Sequence, residues 1–134
     1  MPFVLDNSVV TGWYVADQAS DYTRAVALRL TQDRALVPAL WQLELANVLK
    51  TVCTHGKLSQ QQGREILDVL VELPIDIDSC PAPGQRQLFE LAMRYQLSSY
   101  DAAYLELAVR HGLPIATQDA AVRAAAQLAG VAIV

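Results

Sequence analysis

Histidine and cysteine are scarce in this chain of 134 residues, with two of each. His55 and His111 each close a predicted helix, where they suit the dipole, and their spacing matches no zinc site. Cys53 and Cys80 form neither a CxxC pair nor a disulfide framework, so a reduced, cytoplasmic protein is expected. Lysine is also rare: Lys50 and Lys57 stand beside eight arginines, and the formal net charge is −4. That balance argues against a DNA-coating or transcription-factor role, because phosphate contacts need clustered positive charge. It leaves room for a nuclease, since a bound cation inverts the potential of an acidic pocket. Arg24, Arg29, Arg86, Arg94 and Arg110 are available to flank such a pocket. No apolar run approaches the roughly 20 residues of a membrane span. The N-terminus carries no basic region or cleavage-like motif and enters a strand-like segment at once. Low-complexity tracts, long linkers and internal repeats are missing, and no glycine-rich phosphate loop follows the first strand.

What is present is a core. Hydrophobic residues make up 53% of the chain and charged residues 18%, which fits a single globular domain over residues 1–134. Phe3 to Leu5 is a short apolar run of the kind found in strands buried on both faces. Helical stretches are expected from Ser8 to Val15 and from Asp21 to Asp33, followed by a strand from Ala35 to Val37 closed by Pro38. A long helix from Leu40 to His55 stops at Gly56, and Ser59 caps another through Val71 with Ile66, Leu67, Leu70 and Val71 on its apolar side. Ile75 to Ile77 is a third strand, and Cys80 to Gly84, with Pro81 and Pro83, is a turn. Gln85 to Tyr95 carries Leu88, Leu91 and Ala92 inward, and Tyr100 to His111 ends at Gly112. Pro114 to Ala116, Ala120 to Ala129 and Val131 to Val134 complete a strand, helix and strand. This alternation predicts the α/β class, with a mainly parallel sheet sandwiched between helices in three layers.

Four carboxylates interrupt this pattern. Asp6 ends the first apolar run, Glu44 sits on the margin of a helix's apolar face, Asp101 opens a helix, and Asp119 follows the run Leu113 to Ala116. At about 100° per residue, Glu44 lies about 60° from Trp41 and about 40° from Val48, beside the stripe Trp41, Leu45, Val48, Val52. Asn47 falls next to it, in position to hydrogen-bond its carboxylate. Asp101 shares an inward stripe with Tyr104, Leu105 and Ala108, whereas Glu106 and Arg110 read as an exposed i, i+4 pair. Asp6 and Asp119 both follow strands, and in parallel sheets the functional crevice lies beyond the carboxyl ends of the strands. Each acid also has an ordinary structural explanation. Glu44 is a helix-boundary residue, Asp101 suits a helix N-terminus, Asp119 is a good N-cap, and Asp6 is solvated in a loop.

With no lysine or arginine matched to them, the four acids together point to a divalent cation. Mg²⁺ and Mn²⁺ prefer oxygen ligands, polarise phosphate oxygens and acidify bound water. Ser8 has no histidine paired with it, so a hydrolase triad is unsupported. A small-molecule phosphoryl-transfer enzyme with Asp6 as nucleophile is disfavoured, because the second acid such enzymes commonly carry two residues later is Ser8 here.

The segments Val4-Leu5-Asp6-Asn7-Ser8, Pro38 to Leu49, Leu97 to Leu105 and Leu113 to Asp119 stand in the order and spacing of a known family. The chain resembles a PIN-domain ribonuclease of the VapC-like toxin group over essentially its whole length. The resemblance implies an α/β/α domain in which Asp6 and Asp101 are central Mg²⁺ ligands, with Mn²⁺ as a substitute. Glu44 and Asp119 would complete the pocket directly or through water. Ser8 and Thr117 match accompanying hydroxyl positions that support the ligands from behind. All four acids are filled, while Asn7 is an unusual neighbour of Asp6. The implied activity is endoribonucleolytic hydrolysis of RNA by a metal-activated water. The implied partners are a cognate antitoxin and a second copy of the chain in a homodimer, with no membrane. Apolar helices around Trp13-Tyr14 and Ile66 to Val71 offer surfaces for them, or simply core packing. A non-catalytic PIN-fold module binding RNA or protein is the alternative.

Overall fold

A computed structural model describes residues 1–79 and 83–134; Cys80, Pro81 and Ala82 of the expected turn lie outside the described residues. In chain order the elements are β1 (Phe3–Leu5), α1 (Asn7–Tyr14), a 3₁₀ turn (Ala16–Gln18), α2 (Asp21–Arg29), β2 (Ala35–Val37), α3 (Leu40–Thr54) and α4 (Gln60–Val71). They continue with β3 (Ile75–Ile77), α5 (Gln85–Tyr95), α6 (Ser99–His111), β4 (Ile115–Ala116) and α7 (Ala120–Leu128). The strands form one sheet in the order β3-β2-β1-β4, and every pairing is parallel. Central β1 is fully buried along Phe3, Val4 and Leu5, which is why its sequence is apolar without alternation. Helices α1 to α4 pack on one another, and α5 and α7 pack on α6, which itself lies against β1. The result is the expected three-layer α/β/α architecture.

Local chemistry sets several boundaries. Ser59 and Gln62 close a capping box at the start of α4, and Ser20 and Thr23 close another at α2. Gly112 ends α6 with a φ of 63°, a left-handed conformation that glycine adopts without strain. Where the structure departs from expectation, tertiary packing is the reason. The α2 helix stops at Arg29, and the chain turns through Thr31 to Asp33, with Arg29 paired to Asp33. Val131 to Val134 forms only a single parallel bridge, Ile133 to Ile115, on the edge of the sheet. The buried stripe of α3 is Trp41, Leu45 and Leu49, leaving Val48 and Val52 half-buried. On α4 only Gly63 and Leu70 are fully buried, with Ile66 half-buried, while Leu67 and Val71 are exposed. Glu106 is not a surface residue: it is 4% exposed and receives Arg110, which also reaches Asp78 from the end of β3.

Gly12 marks the tightest approach between α1 and its neighbours. A Cβ there would lie 2.5 Å from Thr23 Cγ2 and 2.8 Å from the Gln18 carbonyl oxygen. We therefore expect Gly12→Ala to destabilise the fold by about 1–3 kcal/mol through overpacking, read as a lower urea midpoint. An unchanged midpoint would show that the contact yields at no cost.

Candidate active site

The carboxyl edge of the sheet gathers the acids. Asp6 leaves β1 at the mouth of α1, and its backbone holds the N-cap position while its side chain makes no capping bond. The carboxylate is instead taken by two hydroxyls: Ser8 Oγ donates to Oδ2 at 2.8 Å and Thr117 Oγ1 at 2.6 Å. Ser8 is on the first turn of α1 and Thr117 directly follows β4, so two neighbouring parallel strands deliver the donors. Asp6 is only 4% exposed, and burial pushes its pKa up. The hydroxyls and the Asn7 amide oppose that rise, while the charge of Asp119 adds to it.

Asp119 is the N-cap of α7, where Oδ1 accepts from the Val122 amide at 3.0 Å, as its structural explanation requires. Capping occupies one oxygen and still leaves the charge close enough to act on both Asp6 and Asp101. Asp101 lies in the first turn of α6, but Ser98 does the capping, accepting from the Asp101 amide at 3.1 Å. Burial raises the Asp101 pKa, and the charges of Asp6 and Asp119 raise it further. Glu44 on α3 shows the same pattern: burial first, then the charges of Asp6 and Asp101, against a hydrogen bond that lowers it. That bond is 2.6 Å from Tyr104 Oη to Glu44 Oε1, so Glu44 is held across the site by α6. Asn47, expected to hold Glu44, is exposed instead. The phenol of Tyr104, desolvated and facing the Glu44 carboxylate, is driven far above its ordinary range.

The structure thus brings Asp6 and Asp101 within the field of Asp119, and Glu44 within the fields of Asp6 and Asp101, with Ser8 and Thr117 beside Asp6. Among the described residues none of the four acids forms an ion pair. Four of the five arginines expected to flank the pocket are engaged elsewhere: Arg24 with Asp21, Arg29 with Asp33 and the Phe3 ring, Arg94 over Tyr95, and Arg110 with Glu106 and Asp78; Arg86 is exposed on α5. Arg123, one turn into α7, is the cation beside the site, and it donates to the Thr117 carbonyl rather than to an acid. Sequence reasoning missed it although its i, i+4 spacing from Asp119 was visible. Gln118 was also missed: its side chain bridges the Ser8 and Gln18 carbonyls and accepts from Ser20 Oγ.

The donor set fits a hard divalent cation, because the four carboxylates and the Ser8, Thr117 and Tyr104 hydroxyls all offer oxygen, and among the described residues no lysine or arginine pairs with the acids. Among the described residues no group of three or more His, Cys, Asp or Glu side chains is arranged to hold a metal ion. Mg²⁺ needs only one or two direct carboxylates because it retains several waters. The open arrangement therefore remains compatible with that ion.

A family model described as PIN domain matches residues 3–128. Ribonuclease VapC1 of Mycobacterium tuberculosis is 30% identical over 126 residues, spanning 90% of this chain and 92% of that protein. Ribonuclease VapC3 of Pyrobaculum aerophilum is 27% identical over 121 residues, spanning 89% and 90%. Among solved structures, VapBC2 from Rickettsia felis, bound to a DNA fragment from their promoter, superposes with a TM-score of 0.67. At 13% identity it covers 100% of this chain and 98% of its own, a likeness of fold. The chain belongs to the PIN domain family and is a relative of the VapC ribonucleases.

Proposed function

We propose that the protein is a metal-dependent endoribonuclease and the toxin of a toxin-antitoxin pair, acting on RNA in the cytoplasm. The observation carrying this reading is the group of carboxylates whose charges raise the pKa values of Asp6, Glu44 and Asp101, with no ion pair to any of the four acids among the described residues, at the carboxyl edge of a parallel sheet. Its similarity to two VapC ribonucleases supports the choice of RNA phosphodiesters as substrate. Asp6 and Asp101 are the proposed direct ligands of Mg²⁺ or Mn²⁺, with Glu44 and Asp119 completing the pocket directly or through water. When bound, the cation supplies positive charge to the scissile phosphate and lowers the pKa of water. The chain's own groups prepare for this. Ser8 and Thr117 fix the Asp6 carboxylate, and Tyr104 holds Glu44 where it can orient an attacking water.

An apolar groove of about 480 Å³, lined by Trp13, Tyr14, Ile66, Val69 and Leu70 among others, is the proposed seat of the antitoxin. A homodimer would cover Leu67, Val71 and Ile77, exposed beside the edge strand β3. Among the described residues no helix is long and apolar enough to cross a membrane.

Purified, antitoxin-free protein should cut total RNA into discrete fragments with Mg²⁺ or Mn²⁺ and not with EDTA. Asp101→Asn should lower the rate at least about a hundredfold while the circular dichroism spectrum stays unchanged. Near-full metal-dependent activity in that variant would remove Asp101 from the mechanism. A folded wild type that binds RNA without cutting it would favour the non-catalytic module.

The same acids have a consequence for stability. A carboxylate whose folded pKa is raised binds protons more tightly in the folded state. Its charged form therefore destabilises the fold above that pKa, and the cost disappears as pH falls below the unfolded value. Metal-free Asp101→Asn should accordingly melt roughly 1 to 4 °C above wild type at pH 7, with the gap closing below about pH 4. A variant melting lower than wild type at neutral pH would contradict this account of the cluster.

A further inference from the structure

Thr117 stands where strand pairing has ended. β4 comprises only Ile115–Ala116, so the next peptide must find its hydrogen-bond partners outside the ladder. Thr117 is fully buried, and both of its backbone groups are met by side chains from other elements. Its amide donates to Tyr22 Oη at 3.2 Å, and Arg123 Nη1 donates to its carbonyl oxygen at 2.6 Å. The two side chains also meet each other, with the Arg123 guanidinium 5.2 Å from the centroid of the Tyr22 ring. This contact is a cation–π pair, which holds both groups in one relative orientation. From the peptide so held, Thr117 Oγ1 donates to Asp6 Oδ2 at 2.6 Å and accepts from the Asp119 amide at 3.0 Å.

We propose that Tyr22 and Arg123 are a paired positioning device, which fixes the Thr117 peptide so that its hydroxyl registers Asp6 against Asp119. The proposal rests on the reading of these acids as the reactive site. Neither residue hydrogen-bonds or ion-pairs with the acids among the described residues; both act through Thr117. A role for Arg123 as a simple phosphate contact would leave the Tyr22 hydroxyl unexplained, and it would not need a guanidinium committed to a buried carbonyl. Tyr22 comes from α2 and Arg123 from α7, so the pair also ties the first crossover to the last helix.

Amide hydrogen exchange in metal-free protein tests this without any activity readout. Tyr22→Phe keeps the ring and removes the acceptor, and Arg123→Lys keeps the charge but loses the planar fork. In both variants exchange at Thr117 and Asp119 should speed up about tenfold or more, while the Val4 amide in β1 keeps its protection. Mn²⁺ affinity, measured by calorimetry, should fall by about three- to tenfold in both. Exchange within twofold of wild type at Thr117 and Asp119 in both variants would overturn the proposal. So would an equal rise at Val4, which would mean general loosening. If wild type binds no Mn²⁺ yet exchange responds as expected, the metal reading fails and the positioning of Thr117 stands.

Discussion

The Asp6 carboxylate ties the two ends of the chain into one site. Its Oδ2 receives Ser8 from two residues away and Thr117 from 111 residues away, in a pocket that leaves the aspartate only 4% exposed. A buried carboxylate without such donors would be prohibitively costly; the two hydroxyls oppose the rise in its pKa that burial causes. The parallel pairing of β1 with β4 is what makes this possible, because it brings the ends of both strands out on the same edge. Helices α3 and α6 then bring Glu44 and Asp101 to that edge, joined by the Tyr104 hydrogen bond.

The cluster runs against the stability of the fold that carries it. Three of the acids have raised pKa values because burial and their neighbours' charges disfavour ionisation, and no lysine or arginine among the described residues relieves them. Elsewhere the chain does pair its buried charge: Glu106 is met by Arg110, which also reaches Asp78. The contrast between these two places is informative. A fold that meets buried Glu106 with arginine leaves buried Asp6 and half-buried Glu44, Asp101 and Asp119 without an ion pair among the described residues, which is the observation behind the proposed cation site.

Much of this was legible in the chain. The apolar run Phe3 to Leu5, the capping residue Ser59 and the stop at Gly112 each report a local preference that the structure keeps. The convergence of the acids followed from their places after strands and on helix margins. What stayed hidden depends on contacts between distant segments. Helical spacing identified Glu106 and Arg110 as a pair but could not show that the pair is covered and shared with Asp78. Periodicity put Leu67 and Val71 on an inward face, yet α4 turns them outward and buries Gly63 and Leu70. Tyr104 looked like core packing, and its hydroxyl found Glu44 only once α3 and α6 were laid side by side. Arg123 was passed over because its partner is a backbone carbonyl, a class of bond that no residue pattern advertises.

The account stands or falls on whether the acids hold a cation. Crystals soaked in Mn²⁺ and measured by anomalous diffraction put that question directly. The account predicts an anomalous peak among the carboxylates of Asp6 and Asp101, within water-bridged reach of Glu44 and Asp119, and its loss in Asp6→Asn. Ordered crystals in high Mn²⁺ with no peak in that pocket, or with the ion only elsewhere, would contradict it.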